Sequence, residues 1–114
     1  MAAKPMIELT QVTKEIYETG KELKDGAKKL FIYAQTKAKT EQEYRHALAI
    51  EMMELRDKGM PVTLIPDIAR GNLADLRYKR DLAKATYDSA RDAIEALQSE
   101  INSLQTICHY QDEI

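Results

Sequence analysis

The chain has 114 residues, of which 32% are charged and 6% are aromatic, and its formal net charge is −2. This length fits one domain, and the near-neutral balance lacks the global basic excess typical of nucleic-acid-binding domains. With only four glycines and three prolines, the composition favours long helices over sheets.

The segments that would direct the chain to a membrane or out of the cell are not evident in the sequence. The N-terminal stretch MAAKPMIELT has no apolar core suited to secretion. The longest aliphatic-aromatic run, LFIYA at residues 30–34, is far below the roughly 20 residues that span a bilayer. Cys108 is the one cysteine, which excludes an internal disulfide and fits a reducing compartment. We therefore expect a soluble cytoplasmic protein.

A first long helix is predicted over about residues 9–58. Its apolar residues recur at helical spacings of three, four or seven positions, and they include Val12, Ile16, Leu23, Leu30, Tyr44, Leu48 and Leu55. The stretch QTKAKTEQE at residues 35–43 interrupts this pattern, and Thr40 with Glu43 matches a capping box. The sequence thus leaves two outcomes open, a continuous helix with an exposed middle or a break near residues 36–40.

A hinge is predicted over residues 59–72, within RDKGMPVTLIPDIARGNLADLR. Its structural residues are Gly59, Pro61, Thr63, Pro66 and Gly71. Gly59 suits the left-handed position after a helix, and Pro61 prevents that helix from continuing. We expect Thr63 to cap a short helix over residues 64–70, Pro66 to lie in its first turn, and Gly71 to end it.

A second long helix is predicted over about residues 73–110, with a heptad repeat that starts at Leu73. The repeat has a 3.5-residue period, which is typical of a coiled-coil seam. Arg80 is a charged exception at an a position. The predicted seam residues are Leu73, Leu76, Ala83, Tyr87, Ala90, Ile94, Leu97, Ile101 and Leu104.

The distribution of charge indicates how the two helices run. Residues 21–39 contain six lysines and two acids, whereas residues 85–114 contain six acids and one arginine. If the chain folds back near residue 65, these segments lie side by side with opposite charge. The alternative is two solvated helix faces without paired charges, since exposed ion pairs contribute little stability.

Apolar residues outside the seam predict self-association. Phe31, Tyr33, Ile50 and Met53 lie off the main seam of the first helix, and a two-helix hairpin cannot cover them by itself. The predicted fold class is therefore all-α: a long antiparallel helical hairpin, coiled-coil-like, with a short hinge helix, which oligomerises into a helical bundle. A dimer forming four helices is the minimum.

The best candidate contact site for a nucleic acid or a protein partner is a basic cluster around the start of the second helix. Its residues are Arg70, Arg77, Lys79, Arg80 and Lys84. Tyr78 and Tyr87 offer stacking surfaces for single-stranded DNA, although acids on the first helix would partly cancel the charge. Arg70 has two readings: it binds a phosphate or a partner's carboxylate, or it caps helix carbonyls at the hinge.

Two further patterns were weighed as sites of chemistry. Glu43 and His46 form a Glu-x-x-His pair, but a di-iron bundle needs a second such pair, and His109 does not supply one. Cys108 and His109 are adjacent and would point about 100° apart on a helix, which makes a poor nucleophile and base. We expect no catalytic residue, no metal and no cofactor, and hence a protein that is not an enzyme.

The stretch EYRHALAIEMMELRDKGMPVTLIPDIARGNLADLRYKRDLAKATYDSARDAIEAL resembles a group of small helical proteins from phages and prophages of Gram-positive bacteria. The shared pattern is L-R-x-x-G-x-P-x-T-L-I-x-D-x-A-R-G followed by L-R-x-x-R-D-x-A-x-x-x-Y. The resemblance implies an accessory role in phage DNA replication or recombination, through contacts with phage proteins and weak binding of single-stranded DNA. It supplies no catalytic residues. The alternative is a helical assembly or scaffold protein without a nucleic-acid role.

Overall fold

The computed structural model describes residues 9–112, and α-helices make up 92% of them, with no strand in this range. Helix α1 is Leu9–Asp57, α2 is Ile65–Asn72 and α3 is Ala74–Asp112. The all-α prediction is confirmed. Most of the N-terminal stretch on which the expectation about secretion rests, residues 1–8, lies outside the described range.

Helix α1 is continuous through the polar stretch at residues 35–43, so the predicted break near residues 36–40 is absent. Thr40 does not cap a helix there, because it lies within α1 with only 4% of its surface exposed. Its hydroxyl donates to the carbonyl oxygens of Thr36 at 2.9 Å and Lys37 at 3.1 Å. The hydroxyl group thereby forms its hydrogen bonds with the preceding turn of the same helix, so the capping-box prediction is wrong.

Helix α1 ends just before Gly59, as the sequence predicted. Gly59 has a φ of +81°, in the left-handed region that favours glycine. The backbone N–H of Met60 donates to Leu55 at 3.1 Å, and that of Gly59 donates to Arg56 at 3.0 Å. These two bonds form a Schellman motif, which satisfies carbonyls at the end of the helix and turns the chain.

Helix α2 begins and ends later than predicted. Its N-cap is Leu64, without a side-chain cap, so Thr63 does not have the predicted capping role. Pro66 lies in the first turn, where its missing N–H leaves no bond unmade. Gly71 lies within α2 rather than ending it, because the helix continues to Asn72.

Two compact units divide the chain: unit 1 contains α1 up to Leu30 and α3 from Ala90, and unit 2 contains Phe31–Ser89. Unit 2 holds a hydrophobic cluster of Leu55, Ile65 and Ala69, which are at most 6% exposed. Partly buried apolar residues pack against it, namely Leu48, Met52, Met60 and Ile68. Burial of a side chain such as Leu55 contributes about 1.5–3 kcal/mol, so the apolar character of the hinge reflects a packed core.

Unit 1 is held by a narrower seam. Its buried residues on the described helices are Val12, Thr19 and Ile101. A Cβ added to Gly26 would lie 3.3 Å from Cγ1 of Ile94, so α1 and α3 approach closely at this glycine. The small residue therefore permits contact that a larger one would obstruct.

The heptad positions of α3 lie on its covered side in both units. No predicted seam residue is classed as exposed: Leu73, Leu76, Tyr87, Ala90, Ile94, Leu97 and Leu104 are half-buried, and Ala83 and Ile101 are buried. Arg80 is also half-buried, so the charged exception shares this side. Among the described residues, no helix has the length and apolar content needed to cross a bilayer.

Candidate interaction surfaces

Arg70 forms an ion pair within its own helix. Its Nη1 lies 3.4 Å from Oδ1 of Asp67, one turn earlier, and half of the Arg70 side chain is exposed. The proposed capping of helix carbonyls is not among its hydrogen bonds. Arg70 is thus an exposed, partly neutralised cation at the hinge.

The remaining members of the basic cluster differ in their partners. Arg77 lies 4.0 Å from Asp81 on α3, and Lys79 lies 3.5 Å from Glu43 on α1. Lys84 is exposed and has no carboxylate within 4.0 Å among the described residues. Lys84 is therefore the cluster member whose charge is least compensated.

Arg80 is the most enclosed member of the cluster, with 24% of its side chain exposed. Its guanidinium carbon lies 4.4 Å from the ring centroid of Tyr44, a cation–π contact. The same group lies 3.5 Å from Glu41 on α1 and 3.0 Å from Asp81 on α3. A charged residue is accommodated in the seam because an aromatic face and two carboxylates surround it.

A second cation–π contact joins α1 and α3 within unit 2. The Nζ of Lys37 lies 4.5 Å from the ring centroid of Tyr87. Together, Lys37, Glu41, Arg80 and Tyr87 line a groove of about 650 Å³. Tyr87 is half-buried on the predicted seam and Lys37 lies over its ring, so it is not a free stacking surface for a base.

The electrostatics of the predicted cluster are close to neutral. Four of its five cations have a carboxylate within 4.0 Å, and those carboxylates belong to Glu41, Glu43, Asp67 and Asp81. Phosphate binding depends on uncompensated positive charge that releases counterions. The geometry therefore weakens this cluster as a nucleic-acid site.

Three contacts join α1 to other elements of unit 2. Glu51 accepts a 2.8 Å hydrogen bond from Asn72, Glu43 pairs with Lys79, and Lys37 contacts Tyr87. Residue numbers fall on α1 as they rise on the partner segment. These contacts join the α1 segment of unit 2 to α2 and α3.

An apolar groove of about 290 Å³, named here the lateral groove, lies on another side of unit 2. Its lining residues are Ile32, Tyr33, Thr36, Thr40, Lys79, Leu82, Ala83 and Thr86. Ile32 and Leu82 are 57% and 53% exposed, respectively, although both are large and apolar. The heptad analysis missed this surface because it assigns only one side of α3.

A second apolar depression lies at the hinge. It has a volume of about 390 Å³ and is lined by Met52, Met53, Arg56, Val62, Ile65 and Pro66. Val62 is 78% exposed and Met53 is 65% exposed. The hinge therefore has a packed inner side and an exposed apolar outer side.

The lysine-rich arm of unit 1 does not form the charge pairs that the sequence suggested. Lys21, Lys24 and Lys28 are exposed, and the ion pairs of the described residues include none of them. Lys21 instead lies 4.7 Å from the ring centroid of Tyr17 on the same helix. Lys21, Lys24 and Lys28 on α1 and Asp92, Glu95 and Glu100 on α3 thus lie at exposed positions.

The two chemical patterns weighed from the sequence belong to different units, Glu43 and His46 to unit 2 and Cys108 and His109 to unit 1. Glu43 pairs with Lys79, and Cys108 is a half-buried free thiol. Within residues 9–112, no group of three or more His, Cys, Asp or Glu side chains is arranged to hold a metal ion. Comparison of the chain with protein-family models, curated proteins and solved structures finds no match.

Proposed function

We propose that this chain is a non-enzymatic, self-assembling helical protein of Gram-positive phages or prophages. Its fold in this proposal is a long antiparallel hairpin in which α2 serves as the hinge helix. Copies associate into a helical bundle of at least two hairpins, in the host cytoplasm. The phage setting comes from the sequence resemblance around the hinge.

Exposed apolar side chains on unit 2 carry the proposal. Phe31, Ile32, Met53 and Val62 each have more than half of their surface exposed. Clustered exposed apolar surface of this kind typically marks a protein interaction site. At about 25 cal/mol per Å² of apolar area removed from water, covering such side chains favours association.

The lateral groove suits a second copy of the chain. At one end, Lys79 and Glu43 lie 3.5 Å apart, so a cation and an anion stand together at the edge of the groove. In a two-fold symmetric dimer the same patch faces itself. Lys79 of one copy then lies near Glu43 of the other, so the charges at the edges of the two grooves are complementary.

The test is sedimentation velocity over roughly a hundredfold range of protein concentration. The wild-type chain is expected to show a concentration-dependent shift from monomer to dimer or higher oligomer. Ile32→Glu and Leu82→Glu place charge in the lateral groove and are expected to weaken association at least about tenfold, because a charge must then be desolvated at the interface.

Gln42→Glu is the matched control, because Gln42 is exposed on α1 in the same unit and lies outside the lateral groove. It adds the same charge and is expected to leave association unchanged. Circular dichroism checks that all three variants stay helical. A wild-type chain that remains monomeric over the whole range, or equal weakening by the control, would overturn the proposal.

The accessory role in DNA replication or recombination is less well supported by the predicted basic cluster. That role needs a surface attractive to phosphate, and most cations of the cluster are already paired with carboxylates. Contacts with phage replication or recombination proteins through the apolar surfaces remain compatible with self-assembly. We therefore rank assembly first.

A further inference from the structure

A row of exposed residues on α1 in unit 1, named here the lysine row, consists of Tyr17, Lys21, Lys24 and Lys28. Their spacings of four, three and four positions place them on one face of a helix. Tyr17 is 64% exposed, and its ring contacts the Lys21 ammonium at 4.7 Å. An aromatic side chain and three cations thus form one continuous strip.

The acids of the same helix border the lysine row: Asp25, for example, lies four positions after Lys21 and three before Lys28. Lys24 and Lys28 have no carboxylate within 4.0 Å among the described residues. The charge of this strip is therefore less compensated than that of the basic cluster on α3.

The side of α1 opposite the lysine row is packed against α3. Val12 is fully buried there, and the Cβ position of Gly26 lies 3.3 Å from Ile94. Because the side of α1 opposite the lysine row is already covered in unit 1, that side is not free to insert into a lipid bilayer. A ligand of the lysine row must be recognised by charge and by stacking on Tyr17.

We propose that the lysine row binds single-stranded nucleic acid through its phosphates, with Tyr17 as a stacking platform for a base. From Lys21 to Lys28 the row extends about 10.5 Å along the helix, so its three ammonium groups can contact phosphates along one strand. This site lies in unit 1 and is independent of the self-association proposed for unit 2.

The test is fluorescence anisotropy with a labelled single-stranded DNA oligonucleotide at low and physiological salt. With about three lysine–phosphate contacts to a single strand, the slope of log K against log salt is expected near −2, so affinity falls about 20-fold for a fourfold rise in salt. The triple variant Lys21→Gln, Lys24→Gln, Lys28→Gln is expected to abolish most binding while retaining helicity, since lysine and glutamine have similar helix propensity.

The matched control is Arg77→Gln, Lys79→Gln, Lys84→Gln, which removes the same number of charges from the basic cluster. It is expected to keep binding within about threefold of wild type, with an unchanged salt slope. Tyr17→Leu is expected to weaken binding about fivefold to tenfold without changing the slope, because a stacked base contributes about 1–3 kcal/mol.

Three results would overturn the proposal. One is the absence of binding by the wild-type chain at low salt. Another is loss of binding in the α3 control with retention in the α1 variant. The third is capture of anionic phospholipid vesicles without capture of the oligonucleotide, which would make the row a lipid contact. None of these results bears on the oligomeric state, so the two proposals fail separately.

Discussion

Units 1 and 2 are built from the same two long helices but are stabilised differently. Unit 2 contains the cluster of Leu55, Ile65 and Ala69 and several contacts between separate elements, including Arg80 with Tyr44. In unit 1 the buried residues of the described helices are few, and the ion pairs Lys14–Glu18 and Arg91–Asp92 each join positions on a single helix. A helical pair therefore gains its specificity where a third element, α2, adds a core.

This difference separates two roles along one chain. In unit 2 most charged residues of the basic cluster are paired with other residues of the same chain, and the exposed surface is apolar. In unit 1 the seam is apolar and small, and the lysines remain in solvent. Apolar surface favours association with another protein surface, whereas uncompensated charge favours a polyanion.

The largest expected effect tests the core of unit 2. Leu55→Ala should lower the free energy of unfolding by about 2–5 kcal/mol, because it removes buried methyl groups and leaves a cavity. Met53→Ala on the same helix turn is the control, since Met53 is 65% exposed, and it should cost less than about 1 kcal/mol. Urea unfolding followed by circular dichroism measures both. Equal losses would mean that unit 2 has no distinct core.

A second test concerns the contact of Arg80 with Tyr44. A double-mutant cycle with Arg80→Met and Tyr44→Leu should give a coupling free energy of about 0.5–2 kcal/mol, because the cation lies over the ring on a mostly buried side of the helix. The corresponding cycle in unit 1, Lys21→Met with Tyr17→Leu, should give less than about 0.5 kcal/mol, because that pair is exposed to water. A larger coupling in unit 1 would reverse the contrast.

A third test compares two glycines of α1 in unit 1. Gly20→Ala should raise the free energy of unfolding by about 0.5–1 kcal/mol, since alanine favours a helix and a Cβ there meets no atom within 4 Å. Gly26→Ala should gain less or lose stability, because its Cβ would lie 3.3 Å from Ile94. Thermal unfolding measures the stability of the two variants. Identical gains would show that α1 and α3 do not need the close approach at Gly26.

The smallest expected effect is at the hinge surface. Arg70→Ala should change the free energy of unfolding by less than about 0.5 kcal/mol, because its pair with Asp67 is exposed and has a separation of 3.4 Å. Helicity should stay constant by circular dichroism. A pronounced loss of helicity would instead make Arg70 part of the framework of unit 2.

Local signals in the sequence predicted the helices well and their interruptions poorly. Gly59 was predictable because its left-handed conformation depends on glycine itself. Of the two outcomes left open near residues 36–40, the helix is continuous, and Thr40 is buried there with its hydroxyl bonded to its own helix. Gly71 was misassigned because a glycine can remain inside a short helix whose other residues pack, as Ala69 does.

The candidate surfaces depend on contacts between distant residues, which no local pattern encodes. The sequence predicted that acids of the first helix would partly cancel the charge of the basic cluster, and Lys79 and Arg80 do lie beside Glu43 and Glu41 on α1, more than thirty positions away. The sequence shows the lysine row as an excess of positive charge, but the structure was needed to show whether its lysines pair with acids of α3. Spacing alone placed Lys21, Lys24 and Lys28 on one face, and this signal could have been used.

The polar layer around Arg80 has a consequence for folding fidelity. A heptad of leucine, isoleucine and alanine would tolerate a slip of α3 by one heptad past α1, with little change in packing. Such a slip in one direction brings Arg80 opposite Lys37, where two cations repel, and it removes the arginine from Tyr44 and Glu41. The helix pair is therefore less stable in that shifted register, so one charged residue favours the observed alignment of an otherwise permissive apolar seam.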